Sequence, residues 1–65
     1  MDKVFSITSQ QGHRTIYNMK FIRKITYEPH LITILFKDDS KDTFYFADGD
    51  WAFDAYRDIL NDLKE

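Results

Sequence analysis

The residues in this chain with reactive potential are few and scattered. Ser6, Ser9 and Ser40 carry hydroxyls, and His13 and His30 carry imidazoles. Nucleophilic catalysis needs a nucleophile, a base and an orienting group brought together. None of the serines lies in an elbow motif, and each histidine sits beside an expected turn. Paired carboxylates occur at Asp38 with Asp39 and at Asp48 with Asp50. Acid–base work needs such pairs in a cleft, where burial drives their pKa values apart. Here one pair falls in a hairpin turn and the other at a helix start. Asp48-Gly49-Asp50 also lacks the alternating oxygen ligands and distal glutamate of a calcium loop. The two glycines, Gly12 and Gly49, are too far apart to build a phosphate-cradling loop. The expectation is therefore a protein that is not an enzyme, with no cofactor, no bound metal and no small-molecule substrate.

Binding chemistry is better represented. Arg14, Lys20, Arg23 and Lys24 are basic and lie close in sequence to Tyr17, Phe21 and Tyr27. Basic groups interleaved with rings on a sheet are how single-strand binders hold phosphates and stack bases. Against this stands an acidic chain with pI near 5.5. Asp50, Asp54, Asp58 and Asp62 recur every fourth residue, so on a helix they form a row with about 6 Å of rise per step. Such a row could imitate the phosphates of a nucleic acid, although a charged outer face is the ordinary state of a surface helix. The formal net charge of −2 is unevenly spread. Residues 1–37 hold six Lys/Arg and two acids, whereas residues 38–65 hold three and nine.

The elements that must position these groups follow from periodicity. Residues 3–8 alternate as a strand with Phe5 and Ile7 on one face. Ser9-Gln10-Gln11-Gly12 reads as a turn and 13–18 as the returning strand. Residues 18–21 are a bend, or part of one long bent strand. Residues 22–28 alternate again, with Ile25 and Tyr27 together, until Pro29 breaks the ladder. Residues 31–37 place Ile32, Ile34 and Phe36 on one face and Leu31, Thr33 and Leu35 on the other. Asp38-Asp39-Ser40-Lys41 is a polar turn, and 42–47 sets Phe44 and Phe46 opposite Thr43 and Tyr45.

The period then lengthens to 3.6. Asp48 is the expected N-cap of a helix over 49–64, and Asp50 favours its positive end. Ala52, Ala55, Tyr56, Ile59 and Leu63 form its apolar face. The expected fold is a small α+β domain over residues 1–65. It is an antiparallel β-meander of four to five strands, with one C-terminal amphipathic helix packed on one face. Phe5, Ile7, Ile16, Ile25, Ile34, Phe36, Phe44 and Phe46 are expected beneath the helix. Tyr17, Leu31, Leu35 and Tyr45 are expected on the opposite face. The run from Ile32 to Leu63 resembles the final hairpin and helix of short bacterial or phage proteins, without a motif that names a family.

Sixty-five residues make a marginal core, and with no cysteine a disulfide brace is excluded. The 17% aromatic content favours folding through packing. No apolar run suits a membrane span or a signal peptide, so a cytoplasmic setting is expected. The functional expectation is a small binding or regulatory protein acting through protein–protein contacts or as a homodimer. Its candidate contacts are Tyr17, Leu31, Leu35, Tyr45, Asp50, Asp54 and Asp58. The alternatives are a nucleic-acid-binding module using Arg14, Lys20, Arg23 and Lys24, or an acidic inhibitor that mimics nucleic acid.

Overall fold

The computed structural model describes residues 3–64, so the two residues before them and the one after lie outside the description of the expected 1–65 domain. The elements run β1 (Val4–Thr8), β2 (Arg14–Asn18), a 3-10 turn (Met19–Phe21), β3 (Ile22–Glu28), β4 (Leu31–Phe36), β5 (Lys41–Tyr45) and α1 (Gly49–Leu63). This is the expected α+β order, with every strand pair antiparallel.

The single meander is corrected to two sheets, β1-β2 and β3-β4-β5. The division falls where the sequence is ambiguous. The Asn18 side chain accepts a hydrogen bond from the Lys20 amide at 2.9 Å, and the chain tightens into the 3-10 turn. That local bond competes with a ladder and re-aims the backbone. β3 therefore leaves β2 and pairs with β4 alone. A bulge at Arg23 follows at once, since Ile22 pairs with Phe36 but Lys24 with Leu35.

One core joins both sheets to the helix. Phe5, Ile7 and Tyr17 come from the first sheet. Ile22, Ile32 and Ile34 come from the second, with Phe46 just beyond β5. Ala52, Ala55 and Ile59 come from α1, whose small side chains let its backbone approach. The Asp48 carboxylate accepts from the Asp50 amide at 2.8 Å and caps the helix as expected. A Cβ on Gly49 would stand 3.2 Å from the Pro29 carbonyl oxygen, so this glycine allows the helix start to rest on the β3–β4 turn.

α1 also covers an edge. Ser9 N bonds His13 O and Met19 N bonds Lys3 O, so the odd residues of β1 face β2. The Ser6 amide must then point the other way, where the Asp62 carboxylate accepts it at 3.0 Å. Lys3 Nζ donates to Leu63 O at 3.1 Å, placing a cation at the negative end of the helix. The β1 edge is thus blunted by the helix rather than left open to pairing.

The faces of β2 are reversed from expectation. Ile16 is 68% exposed and Tyr17 only 7%. Phe5 pairs with Tyr17, and directly paired residues share a face. Because Phe5 points into the core, Tyr17 does too. Its ring stacks on Phe5 at 5.3 Å and meets Phe44 edge-on at 6.4 Å. Its hydroxyl donates to Asp42 Oδ2 at 2.8 Å, across the gap between the sheets. Burial raises the phenol's pKa, and the hydrogen bond and charge of Asp42 raise it further.

Two outcomes follow. Ile16→Glu should change stability by no more than about 0.5 kcal/mol, as at other exposed sites, whereas Tyr17→Ala should cost about 3 kcal/mol. Urea melts of the two variants check this, and equal costs would reverse the assigned faces. Tyr17 keeps its proton in the folded state above the value near 10 at which an unfolded tyrosine loses it. Its contribution is therefore full below pH about 10 and is lost as the pH rises further. Tyr17→Phe should be about 1 kcal/mol less stable at neutral pH, and its stability should fall less than the parent's in alkali. Melts in neutral and alkaline buffer measure both effects.

Candidate functional site

Among the described residues, one surface that no other element covers is the outer face of β3-β4-β5, while Val4 and Ile16 of the first sheet and Phe21, Trp51, Phe53 and Leu60 are exposed elsewhere. The strand register lays it out in three rows: Lys24, Leu35 and Lys41; Thr26, Thr33 and Thr43; Glu28, Leu31 and Tyr45. Leu31 and Leu35 stand on the central strand, flanked on both sides and half-buried. Tyr45 stands on an outer strand and is 67% exposed. The helix packs on the other face, against Ile32 and Ile34. Of the four residues expected on this outer face, Leu31, Leu35 and Tyr45 are there. Tyr17 belongs to the core, as its cross-strand pairing requires.

The β5 margin of this sheet carries unmatched backbone. Phe36 N bonds Ser40 O and Phe46 N bonds His30 O, so the even residues of β5 face β4. The amides and carbonyls of Lys41, Thr43 and Tyr45 point away from the ladder. Thr43 and Tyr45 border a cleft of about 440 Å³ shared with Ser9, Gln10, Gln11, His13 and Thr15 of the first hairpin. At its end the Gln10 carboxamide oxygen accepts from the Ala47 amide, bridging the two sheets.

Two of the four residues in the acidic row are engaged. Asp62 holds the β1 edge, and Asp54 pairs with Arg57 at 2.9 Å. Asp54 and Asp58 line a groove of about 270 Å³ with Trp51, Thr8, Ser9 and Gln10. Asp50 lies in the first turn of α1, at the positive end of its dipole. Asp54, Asp58 and Asp62 therefore run beside the first hairpin while remaining exposed. Sequence spacing alone carries no signal of that neighbour.

The four basic candidates are not brought onto one surface. Arg14 is on β2 and Lys20 in the 3-10 turn, where Nζ lies 5.4 Å from the Phe21 ring. Arg23 pairs with Asp39 at 2.6 Å and donates to Lys37 O at 3.1 Å, committed to the β4–β5 turn. Lys24 stands on the outer sheet face. Of the rings expected beside them, Tyr17 is buried and Tyr27 stacks on Tyr56 at 4.6 Å. Phe21 alone of the three is exposed.

Several of the groups with reactive potential have structural partners. Ser9 Oγ accepts from the His13 amide at 3.2 Å. His30 Nδ1 lies 3.0 Å from the Phe46 carbonyl oxygen, which only accepts, so this nitrogen carries the proton. Asp38 accepts from the Ser40 hydroxyl at 2.6 Å and from its amide at 2.9 Å. Those bonds, the hydroxyl first, lower the Asp38 pKa. They also shape the turn in which Asp39 takes φ +74°. Among the described residues, no cluster of three or more His, Cys, Asp or Glu is arranged to hold a metal ion. No helix among them is long and apolar enough to cross a membrane.

Against known proteins, the chain matches no family model, no curated protein and no solved structure.

Proposed function

We propose that this chain is a small non-enzymatic binding protein that acts through protein–protein contacts, and that its contact surface is the outer face of β3-β4-β5. One observation carries the reading: Leu31, Leu35 and Tyr45 share a face that no described element of the chain covers. Fully burying a leucine contributes about 1.5–3 kcal/mol, and a half-buried one retains part of that for a partner. Tyrosine is favoured at interfaces because its ring is apolar and its hydroxyl tolerates water. Lysines and a glutamate frame these residues, the polar rim of an interaction patch. The lack of cysteine suits a cytoplasmic setting.

The test places a photo-crosslinking amino acid at position 45 and irradiates the full chain in lysate. The expected product is a protein adduct that persists in high salt. It should be lost when Leu35→Glu is added, and also with Thr43→Arg, an exposed change that leaves the core untouched. Adducts consisting only of nucleic acid and lost in high salt would overturn the reading, since phosphate contacts weaken steeply with salt. Protein adducts indifferent to both substitutions would overturn the choice of face.

A further inference from the structure

The outer face of β3-β4-β5 is patterned about its own middle. Its central row is Thr26, Thr33 and Thr43. On either side of that row, each strand offers unlike or mutually apolar residues. β3 sets Lys24 against Glu28, β4 sets Leu35 against Leu31, and β5 sets Lys41 against Tyr45. Resting on the function proposed above, we infer that the partner of this face is a second copy of this chain, packed sheet to sheet about a two-fold axis along the threonine row.

Charge complementarity selects both the occupant and the axis. A two-fold axis along that row lays each strand on its own copy in reverse. Lys24 then lies over Glu28 of the second copy, and Glu28 over its Lys24. Leu35 lies over Leu31, and the reverse. Lys41 lies over the Tyr45 ring, an arrangement that attracts a cation. The three threonines meet their own copies, small enough to let the leucines interdigitate. The other in-plane axis, parallel to the strands, would lay β3 on β5 and put Lys24 over Lys41. That juxtaposes like charges and is disfavoured. A two-fold contact must be self-complementary, and this grid is so about one axis only.

The expected geometry is that of aligned sheets, about 10 Å apart and turned by about 30° through strand twist. Three short strands give a small contact, at the weak end of specific interfaces. The association should therefore be reversible and concentration-dependent.

Sedimentation equilibrium of the full chain, from micromolar to millimolar concentration, tests the inference. The expected result is a monomer–dimer equilibrium. K24E alone and E28K alone should each weaken it by about tenfold, because each puts like charges at two symmetric sites. The double variant K24E/E28K should restore the parent constant. An equimolar mixture of the K24E chain and the E28K chain should form a heterodimer more readily than either chain self-associates. Both positions are exposed, and thermal melts check that each variant is folded. A strict monomer at every concentration would overturn the second copy as partner. Salt-resistant adducts to a different protein at position 45 would in that case leave the binding function standing. A dimer insensitive to these charge changes would overturn the face and axis.

Discussion

The two sheets share no ladder, so the fold depends on the side chains that meet between them, and Tyr17 is the centre of that contact. Its ring stacks on Phe5 within its own sheet and touches Phe36 and Phe44 of the other, at 5.8 and 6.4 Å. Its hydroxyl reaches Asp42 on β5. One residue thus supplies apolar area on one side and a satisfied polar tip at the rim, the combination that lets tyrosine enter a core. With no cysteine to form a disulfide in a chain of this length, such packing carries the stability.

The helix completes what that contact begins. Ala52, Ala55 and Ile59 close the core, while Asp62 and Lys3 fasten the C-terminal half of α1 along β1. The acidic row is exposed as its spacing predicts, and its last member, Asp62, also reaches a strand edge that needs an acceptor. The helix can shield one face of the second sheet and one edge of the first. The outer face of the second sheet is one of the surfaces left uncovered among the described residues, and it carries Leu31, Leu35 and Tyr45.

Much of the architecture is legible from the sequence, because its signals there are local. The alternation of Leu31 to Phe36, the polar turn at Asp38 to Ser40, the Asp48 cap and the 3.6-residue period of α1 each act within a few residues. They place Leu31, Leu35 and Tyr45 on one face before any tertiary contact is known. Alternation does not decide which face of β2 turns inward. Ile16 and Tyr17 are both apolar enough to be core, and moving between them is a one-residue change of parity. The pairing of Phe5 with Tyr17 across the first hairpin makes the choice.

The sequence by itself therefore determines the order of elements, the helix and the composition of the outer face, through propensity, turn chemistry and periodicity. Tertiary structure alone decides three further things. It breaks the meander into two sheets at the turn begun by Asn18. It assigns Tyr17 to the core and Asp62 to the β1 edge. It also aligns Lys24, Thr26 and Glu28 with residues of β4 and β5 far along the chain, across a bulge at Arg23. Register is a relation between distant residues, and no local preference encodes it. The candidate interface is written in that register.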